Sequence, residues 1–140
     1  MRIIAGIHRS RRLIAPDKLP VRPTTDRAKE ALFSIIESGY YFDEKKVLDL
    51  YSGTGNIAYE FASRGVEKVT AIDNNFHCIE YIEQTTKKLD LNISAVKSDS
   101  LQTVIQLFVV IIIFLFLLSD SRYLVVVVSN DTNSMRSASV

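Results

Sequence analysis

A pair of glycines and the aspartate before them are the first residues in this sequence whose types and spacing point to chemistry. Gly53 and Gly55 lie in "VLDLYSGTGN", residues 47 to 56, at a predicted strand-to-helix turn where a backbone without Cβ atoms can approach a ligand closely. With Ala58, this turn also fits the GxGxxA pattern of dinucleotide-binding folds, which hold a pyrophosphate on a helix N-terminus. Asp49 argues against a pyrophosphate, because its carboxylate would repel one. It suits a ligand with cationic ammonium and sulfonium groups, such as S-adenosylmethionine.

Two further aspartates end the next two predicted strands. Asp73 comes 20 residues after Gly53 and is followed by Asn74, at a place where a carboxylate can accept hydrogen bonds from both ribose hydroxyls. Asp99 follows Ser98 in "KSDS", where it can accept a hydrogen bond from the adenine amino group. Strand ends also carry Asp as a turn former or helix cap. Three aspartates at successive strand ends, together with the glycine turn, favour the cofactor site.

Strand and helix patterns alternate along the part of the chain that contains these residues. "KKVLDLYS", "EKVTAIDN" and "LNISAVKSD" are strand patterns, and "NIAYEFASRG" and "FHCIEYIEQTTKKLD" are helix patterns, the second with Ile79, Ile82, Thr86 and Leu89 on one face. A further helix is predicted from a cap among residues 24 to 26 to Gly39. "RIIAG" and "RRLIAP" predict an N-terminal hairpin. This alternation predicts an α/β fold with a doubly wound, mostly parallel sheet, which binds ligands at the carboxyl ends of its strands.

The sequence resembles the RsmD-type methyltransferases, which modify a guanine N2 in small-subunit ribosomal RNA. The matching stretches are "MRIIAG", "RR" at 11 and 12, "RPTTDRAKEALFSII" at 22 to 36, "VLDLYSGTGN", "ASRG" at 62 to 65 and "VTAID" at 69 to 73. The resemblance covers about residues 1 to 100 and implies a Rossmann-like class I methyltransferase fold that binds S-adenosylmethionine. It implies that the cofactor is lined by Ser52, Gly53, Gly55 and Asn56, that Asp73 holds its ribose and Asp99 reads its adenine, and that its site opens beside Arg22, Thr24 and Thr25.

The N-terminus carries a local excess of positive charge. The whole chain has a formal charge of +1, yet its first 22 residues contain six Arg or Lys and one Asp. Arg9, Arg11 and Arg12 are candidate contacts to RNA phosphates, and the alternative is a solvated hairpin whose charges guard an open edge. The resemblance favours RNA, so the expected partner is ribosomal RNA or a small-subunit assembly intermediate.

Other residue types argue against several classes of site. A single cysteine, Cys78, excludes an intramolecular disulfide and multi-cysteine zinc sites, and His8 and His77 have no partner at metal spacing. The first residues, "MRIIAGIHRSRR", lack the apolar stretch of a secretory signal, so no export is expected. We therefore expect a cytoplasmic, monomeric protein without a metal.

The residues that would catalyse methyl transfer cannot be assigned. Amino methyltransferases of this kind use an N/D-P-P-Y/F motif after the fourth strand, and no proline follows Pro23 here. The nearest substitute is "RYLVVVVSND", a predicted strand that ends at Asn130 and Asp131.

Composition changes near Ser100, which divides the chain into two parts. Residues 1 to 100 predict the hairpin, the first helix and the cofactor-binding half of the domain, whereas residues 101 to 140 form an apolar tail that replaces the expected C-terminal half. Three hypotheses remain open: a methyltransferase whose tail supplies a substitute strand, a truncated or frame-shifted cofactor- or RNA-binding remnant, and a membrane-anchored protein. Residues 104 to 118 would reach only about 22 Å as a helix, against roughly 30 Å of hydrocarbon.

Overall fold

A parallel sheet with three helices forms the described part of the chain. The computed structural model describes residues 1 to 16, 19 and 24 to 99, and the backbone of residues 123 to 126. The elements are α1 (Asp26–Gly39), β1 (Lys46–Asp49), α2 (Asn56–Ser63), β2 (Lys68–Asp73), α3 (Phe76–Leu89), β3 (Ile93–Lys97) and β4 (Tyr123–Val126). Each element lies within a segment predicted from the sequence, and the α/β class is confirmed.

The strand order β3-β2-β1-β4 creates the position at which such sheets bind ligands. β1 pairs in parallel with β2 on one side and with β4 on the other, so the chain order reverses beside β1. Asp49, the last residue of β1, pairs with Ala71 of β2 and Val126 of β4. Ligands of open α/β sheets bind outside the carboxyl ends of strands at this kind of reversal. The topology therefore directs attention to the loop after Asp49.

The core lies on the face of the sheet that α2 and α3 cover. Two successive crossovers in the same direction place both helices on one face when both are right-handed. Val47, Val69 and Ala71 point to that face and pack in one cluster with Phe61 of α2 and Ile82 of α3. Burial of apolar area at about 25 cal/mol per Å² makes this cluster the main source of stability.

The helix boundaries follow their sequence signals. Thr25 caps α1, because its hydroxyl accepts a hydrogen bond from the N–H of Ala28 at 3.2 Å. Asn75 caps α3 in the same way, accepting from the N–H groups of His77 and Cys78. Of the four residues predicted to share one face of α3, Ile79, Ile82 and Leu89 are buried and Thr86 is half-buried, and Thr85 is buried as well.

The predicted N-terminal hairpin is present, but it is shorter than two regular strands. One antiparallel bridge joins Arg2 to Arg12, and the N–H of Ile3 donates to the carbonyl of Arg11. The turn docks on the end of α2, where Gly6, at φ 81°, lies against the backbone of Ser63. A Cβ at Gly6 would lie 1.8 Å from the Ser63 carbonyl oxygen, so a side chain cannot fit there. The hairpin is therefore built onto α2 rather than hanging free.

The predictions for the apolar tail are only partly covered by the structure. The strand expected in "RYLVVVVSND" is confirmed as β4, while Asn130, Asp131 and residues 104 to 118 lie outside the described residues. Over the residues that the structure describes, no helix has both the length and the apolar character needed to cross a membrane.

Candidate cofactor site

The glycine turn between β1 and α2 has the backbone geometry that the sequence predicted. Gly53 and Gly55 both have positive φ values, 51° and 79°, and Gly55 is the N-cap residue of α2. The N–H of Gly55 donates to the carbonyl of Ser52 at 2.7 Å, which closes the turn. A Cβ at Gly55 would lie 2.8 Å from the ring of Tyr59 and 2.9 Å from Ile82. Only glycine allows this turn to pack on α2 and α3.

Asp73 ties the glycine turn to the end of β2. One carboxylate oxygen accepts from the N–H of Gly53 at 2.8 Å, and the other accepts from the N–H of Asn75 at 2.8 Å. Ser52 adds two contacts, because its N–H and its hydroxyl both donate to the carbonyl of Ile72. Each carboxylate oxygen can accept more than one hydrogen bond, so Asp73 keeps capacity for a ligand. The carboxyl ends of β1 and β2 are thus joined through the predicted ribose-binding residue.

The end of β3 reaches the same place. The N–H of Ser98 donates to the backbone carbonyl of Asp73 at 3.1 Å, and Asp99 follows as an exposed residue. Asn74, directly after Asp73, is also exposed. The structure therefore brings together the predicted ribose-binding and adenine-binding segments, as expected for neighbouring parallel strands.

Asp49 lies beneath the turn rather than on its open side. Its side chain is 1% exposed, and within the described residues neither carboxylate oxygen has a hydrogen bond of good geometry. Burial, and to a smaller extent the negative charge of Asp73, raise the pKa of Asp49 to about 7. The backbone N–H groups of Ala58 and Tyr51 act in the opposite direction and do not outweigh burial. A buried carboxylate without a strong partner is costly, which makes Asp49 sensitive to any cation that binds nearby.

Several residues of the predicted site use their side chains within the protein. The amide of Asn56 donates to the carbonyl of Thr24 at 2.8 Å and accepts from the ammonium of Lys29 at 2.9 Å, so both ends of this buried side chain are engaged within the protein. Thr25 is occupied as the cap of α1. Arg22 lies outside the described residues.

Patterns in the sequence did not predict a buried ion pair beside this site. The ammonium of Lys29 lies 3.0 Å from the carboxylate of Glu60, and both side chains are fully buried. Lys29 also donates to the carbonyl of Arg2 and to Asn56. Burial lowers the pKa of Lys29, while Glu60 acts to raise it. In the sequence, both charges occupy ordinary helical positions, and no spacing marks them as partners.

Glu60 binds the hairpin as well as Lys29. Its two oxygens accept from the backbone N–H groups of Ile4 at 2.8 Å and Ala5 at 2.9 Å. The guanidinium of Arg64 contacts the same carboxylate at 2.9 Å, one helical turn along α2. The charge of Glu60 is therefore surrounded by donors from three parts of the chain.

The three predicted RNA-contacting arginines, like Arg27 of α1, differ from Arg2 and Arg64 in having no ion-pair partner among the described residues. Arg2 pairs with Asp26 and Glu30, and Arg64 pairs with Glu37 and Glu60. No carboxylate in the described ranges lies within ion-pairing distance of the other three, which are all exposed: Arg9, Arg11 and Arg12. Their charges remain available to a polyanion.

The described residues show no cluster of His, Cys, Asp or Glu that could hold a metal ion. Cys78 is fully buried, and burial raises the pKa of its thiol to about 11. It packs as a small apolar residue.

Comparison with known proteins gives consistent matches over the region that contains this site. A family model described as "Conserved hypothetical protein 95" matches residues 1–116, which extends past the limit of about residue 100 drawn from the motifs. The chain is 40% identical over 91 residues to YlbH of Bacillus subtilis, provisionally named an rRNA methyltransferase. This match covers 65% of the chain and 48% of YlbH.

A second curated relative and a solved structure agree with this result. "Ribosomal RNA small subunit methyltransferase D" of Haemophilus influenzae is 38% identical over 73 residues, covering 52% of this chain and 37% of that protein. The solved structure of yhhF from Escherichia coli, provisionally titled a methyltransferase, matches with a TM-score of 0.64 at 27% identity, covering 74% of this chain and 55% of that one. The chain thus spans about half the length, or less, of the relatives it matches.

Proposed function

We propose that this chain, which belongs to the RsmD family represented by the model for conserved hypothetical protein 95, is an S-adenosylmethionine-dependent methyltransferase of small-subunit ribosomal RNA that acts on a guanine N2. The observation that carries the proposal is the joining of three strand ends around Asp73. Gly53 binds its carboxylate, Ser98 binds its carbonyl, and Asp49 lies close enough to be affected by its charge.

The chemistry of these residues fits the cofactor. The carboxylate of Asp73 would hold the ribose hydroxyls, and the segment at Asn74, Ser98 and Asp99 would contact the adenine. Asp49 has two buried oxygens without a good hydrogen bond, which suits a ligand that carries cations. When bound, S-adenosylmethionine supplies an electrophilic methyl group on its sulfonium. The contribution of this chain is to orient that cofactor through the glycine turn and the aspartates.

RNA as the proposed substrate is supported by the exposed arginines of the hairpin, Arg9, Arg11 and Arg12, which we call the arginine edge. Arg9, Arg11 and Arg12 are exposed, lie within four positions of one another on the hairpin, and have no carboxylate partner among the described residues. Each RNA phosphate neutralised by such a side chain releases counterions and adds salt-dependent affinity. We place this activity in the cytoplasm, with a monomer acting on the RNA or on a small-subunit assembly intermediate.

A second function is favoured by one observation, the absence of proline after Pro23. A guanine amino group is a weak nucleophile, so the enzyme must hold it in line with the methyl group and accept its protons. Without the N/D-P-P-Y/F motif, residues 1 to 100 would form a cofactor- and RNA-binding unit that does not transfer a methyl group, with residues 101 to 140 as an atypical tail.

Incubation of the full chain with radiolabelled S-adenosylmethionine and undermodified small-subunit RNA separates the two functions. Incorporation of label as N2-methylguanine, lost in Asp73→Ala, supports the methyltransferase. Cofactor and RNA binding without incorporation supports the binding unit. Failure to bind either ligand refutes both proposals.

A further inference from the structure

The buried pair of Lys29 and Glu60 joins two parts of the molecule that have separate proposed tasks. The hairpin that carries the exposed arginines binds Glu60 through the N–H groups of Ile4 and Ala5. The glycine turn ends at Asn56, whose side chain is bound by Lys29. One ion pair therefore links the hairpin that carries the arginine edge to the glycine turn.

We propose that Lys29 is a positioning residue that fixes the hairpin and the glycine turn as one rigid unit. The functional part of this inference rests on the proposed function. A fixed distance between the arginine edge and the cofactor would position the target base of the bound RNA relative to the cofactor. The physical coupling itself follows from contacts within the protein and does not require a ligand.

The ammonium of Lys29 is suited to this task because its three donors reach the hairpin at one point and α2 at two points. They contact the carbonyl of Arg2 in the hairpin, the side chain of Asn56 at the start of α2, and the carboxylate of Glu60 one turn further along. Without the ammonium, three acceptor oxygens would face one another in a buried space. Each segment would then move to find another donor, and their common register would be lost.

Stability alone does not explain a charge pair at this place. Burying two charges carries a desolvation penalty, and apolar residues of similar volume often serve a core at least as well. The neighbouring interior is already apolar and aromatic, with Phe33 in contact with Phe42 and Phe61. An apolar pair would have no donors that reach both the hairpin and the glycine turn.

The coupling is tested first by hydrogen exchange on the full, ligand-free chain. Lys29→Met is expected to raise the exchange rate about tenfold in two separate regions, the hairpin (residues 1 to 13) and the glycine turn with α2 (residues 52 to 60), while α3 is unchanged. Phe42→Leu is the matched control, because Phe42 is a buried core residue outside the ion-pair network. It should loosen the core without selecting these two regions.

Asn56→Ser provides a second variant that keeps the ion pair and removes the two hydrogen bonds of the Asn56 amide, one from Lys29 and one to the carbonyl of Thr24. It should raise exchange in residues 52 to 60 and leave the hairpin protected. The inference is overturned if Lys29→Met changes exchange uniformly, only within α1, or in the same pattern as Phe42→Leu. If Lys29→Met does not fold, the Asn56→Ser pattern decides, and equal exposure of hairpin and turn there would refute the inference.

Affinity for S-adenosylhomocysteine, measured by calorimetry well below the melting temperature, adds a functional readout. We expect about tenfold weaker binding for Lys29→Met and wild-type affinity for Phe42→Leu, which a purely structural role would not produce. Equal affinity of wild type and Lys29→Met would overturn the positioning role. A wild-type chain that does not bind would instead refute the proposed function, and the exchange data would still decide the coupling.

Discussion

Replacement of Asp49 by asparagine should change how the stability of the protein depends on pH. The carboxyl of Asp49 is buried under the glycine turn, and its pKa is raised to about 7 from an ordinary value of 3.8. The native state therefore holds a proton on Asp49 at pH values where the unfolded chain has already lost it. Asparagine has the shape of the protonated form and cannot ionise, so Asp49→Asn removes this effect alone.

The sign and size follow from proton linkage. Because the native pKa lies above the unfolded pKa, the stabilising effect of the bound proton is complete below pH 3.8 and is lost as the pH rises to about 7. Each pH unit between these values lowers the free energy of unfolding by about 1.4 kcal/mol, so the loss between pH 5 and pH 8 is about 2 to 3 kcal/mol. For a domain of this size, that corresponds to a fall in melting temperature of roughly 10 °C.

Urea unfolding followed by circular dichroism at pH 5, 6, 7 and 8 measures this effect. The other titrating groups are common to both proteins, so the difference between wild type and Asp49→Asn isolates Asp49. We expect that difference to increase steadily in favour of the variant up to about pH 7 and then to level off. A difference that stays constant from pH 5 to pH 8 would refute the assignment of a buried, proton-holding Asp49.

Two other substitutions test the hairpin and its proposed use. Gly6→Ala should lower the free energy of unfolding by about 2 to 4 kcal/mol, because its Cβ would collide with the backbone of Ser63. Thermal melts measure this. Gly39→Ala is the control and should be neutral or slightly stabilising, because its Cβ would meet no atom within 4 Å. A Gly6→Ala melt equal to wild type would contradict the docked hairpin. Replacement of Arg9, Arg11 and Arg12 together by alanine should weaken RNA binding and reduce the slope of log affinity against log salt by about 2 to 3. Filter binding at several salt concentrations measures this, and a slope equal to that of a Lys87→Ala, Lys88→Ala control would exclude the arginine edge.

Local signals in the sequence were sufficient to predict most of the fold. The capping hydroxyl at Thr25 and the glycine at Gly39 mark the ends of α1, and the alternation of strand and helix patterns predicts the parallel sheet. The three aspartates could be placed together because parallel strands bring their carboxyl ends to one edge. Asp73 and the Ser98 segment meet there as expected.

What the sequence could not predict depends on contacts between distant segments. Lys29 and Glu60 have the spacing of ordinary charged residues on helix surfaces, and their burial is created only when α1, α2 and the hairpin pack together. Gly6 similarly has no local signal beyond a turn, since the atom that excludes a side chain belongs to Ser63. The burial of Asp49 was also not predicted, because aspartates are mostly exposed and nothing in the local sequence marks this one as buried.

Binding of S-adenosylhomocysteine to the full chain tests most directly whether residues 47 to 99 form a cofactor site. Calorimetric titration of wild type should show one site per chain. Asp73→Ala should bind about 10- to 100-fold more weakly, because charged hydrogen bonds to the ribose are worth about 1.5 to 3 kcal/mol. Asp43→Ala, which removes an exposed aspartate before β1, should bind as wild type does. Equal affinity of wild type and Asp73→Ala, or no binding by wild type, would contradict the cofactor site.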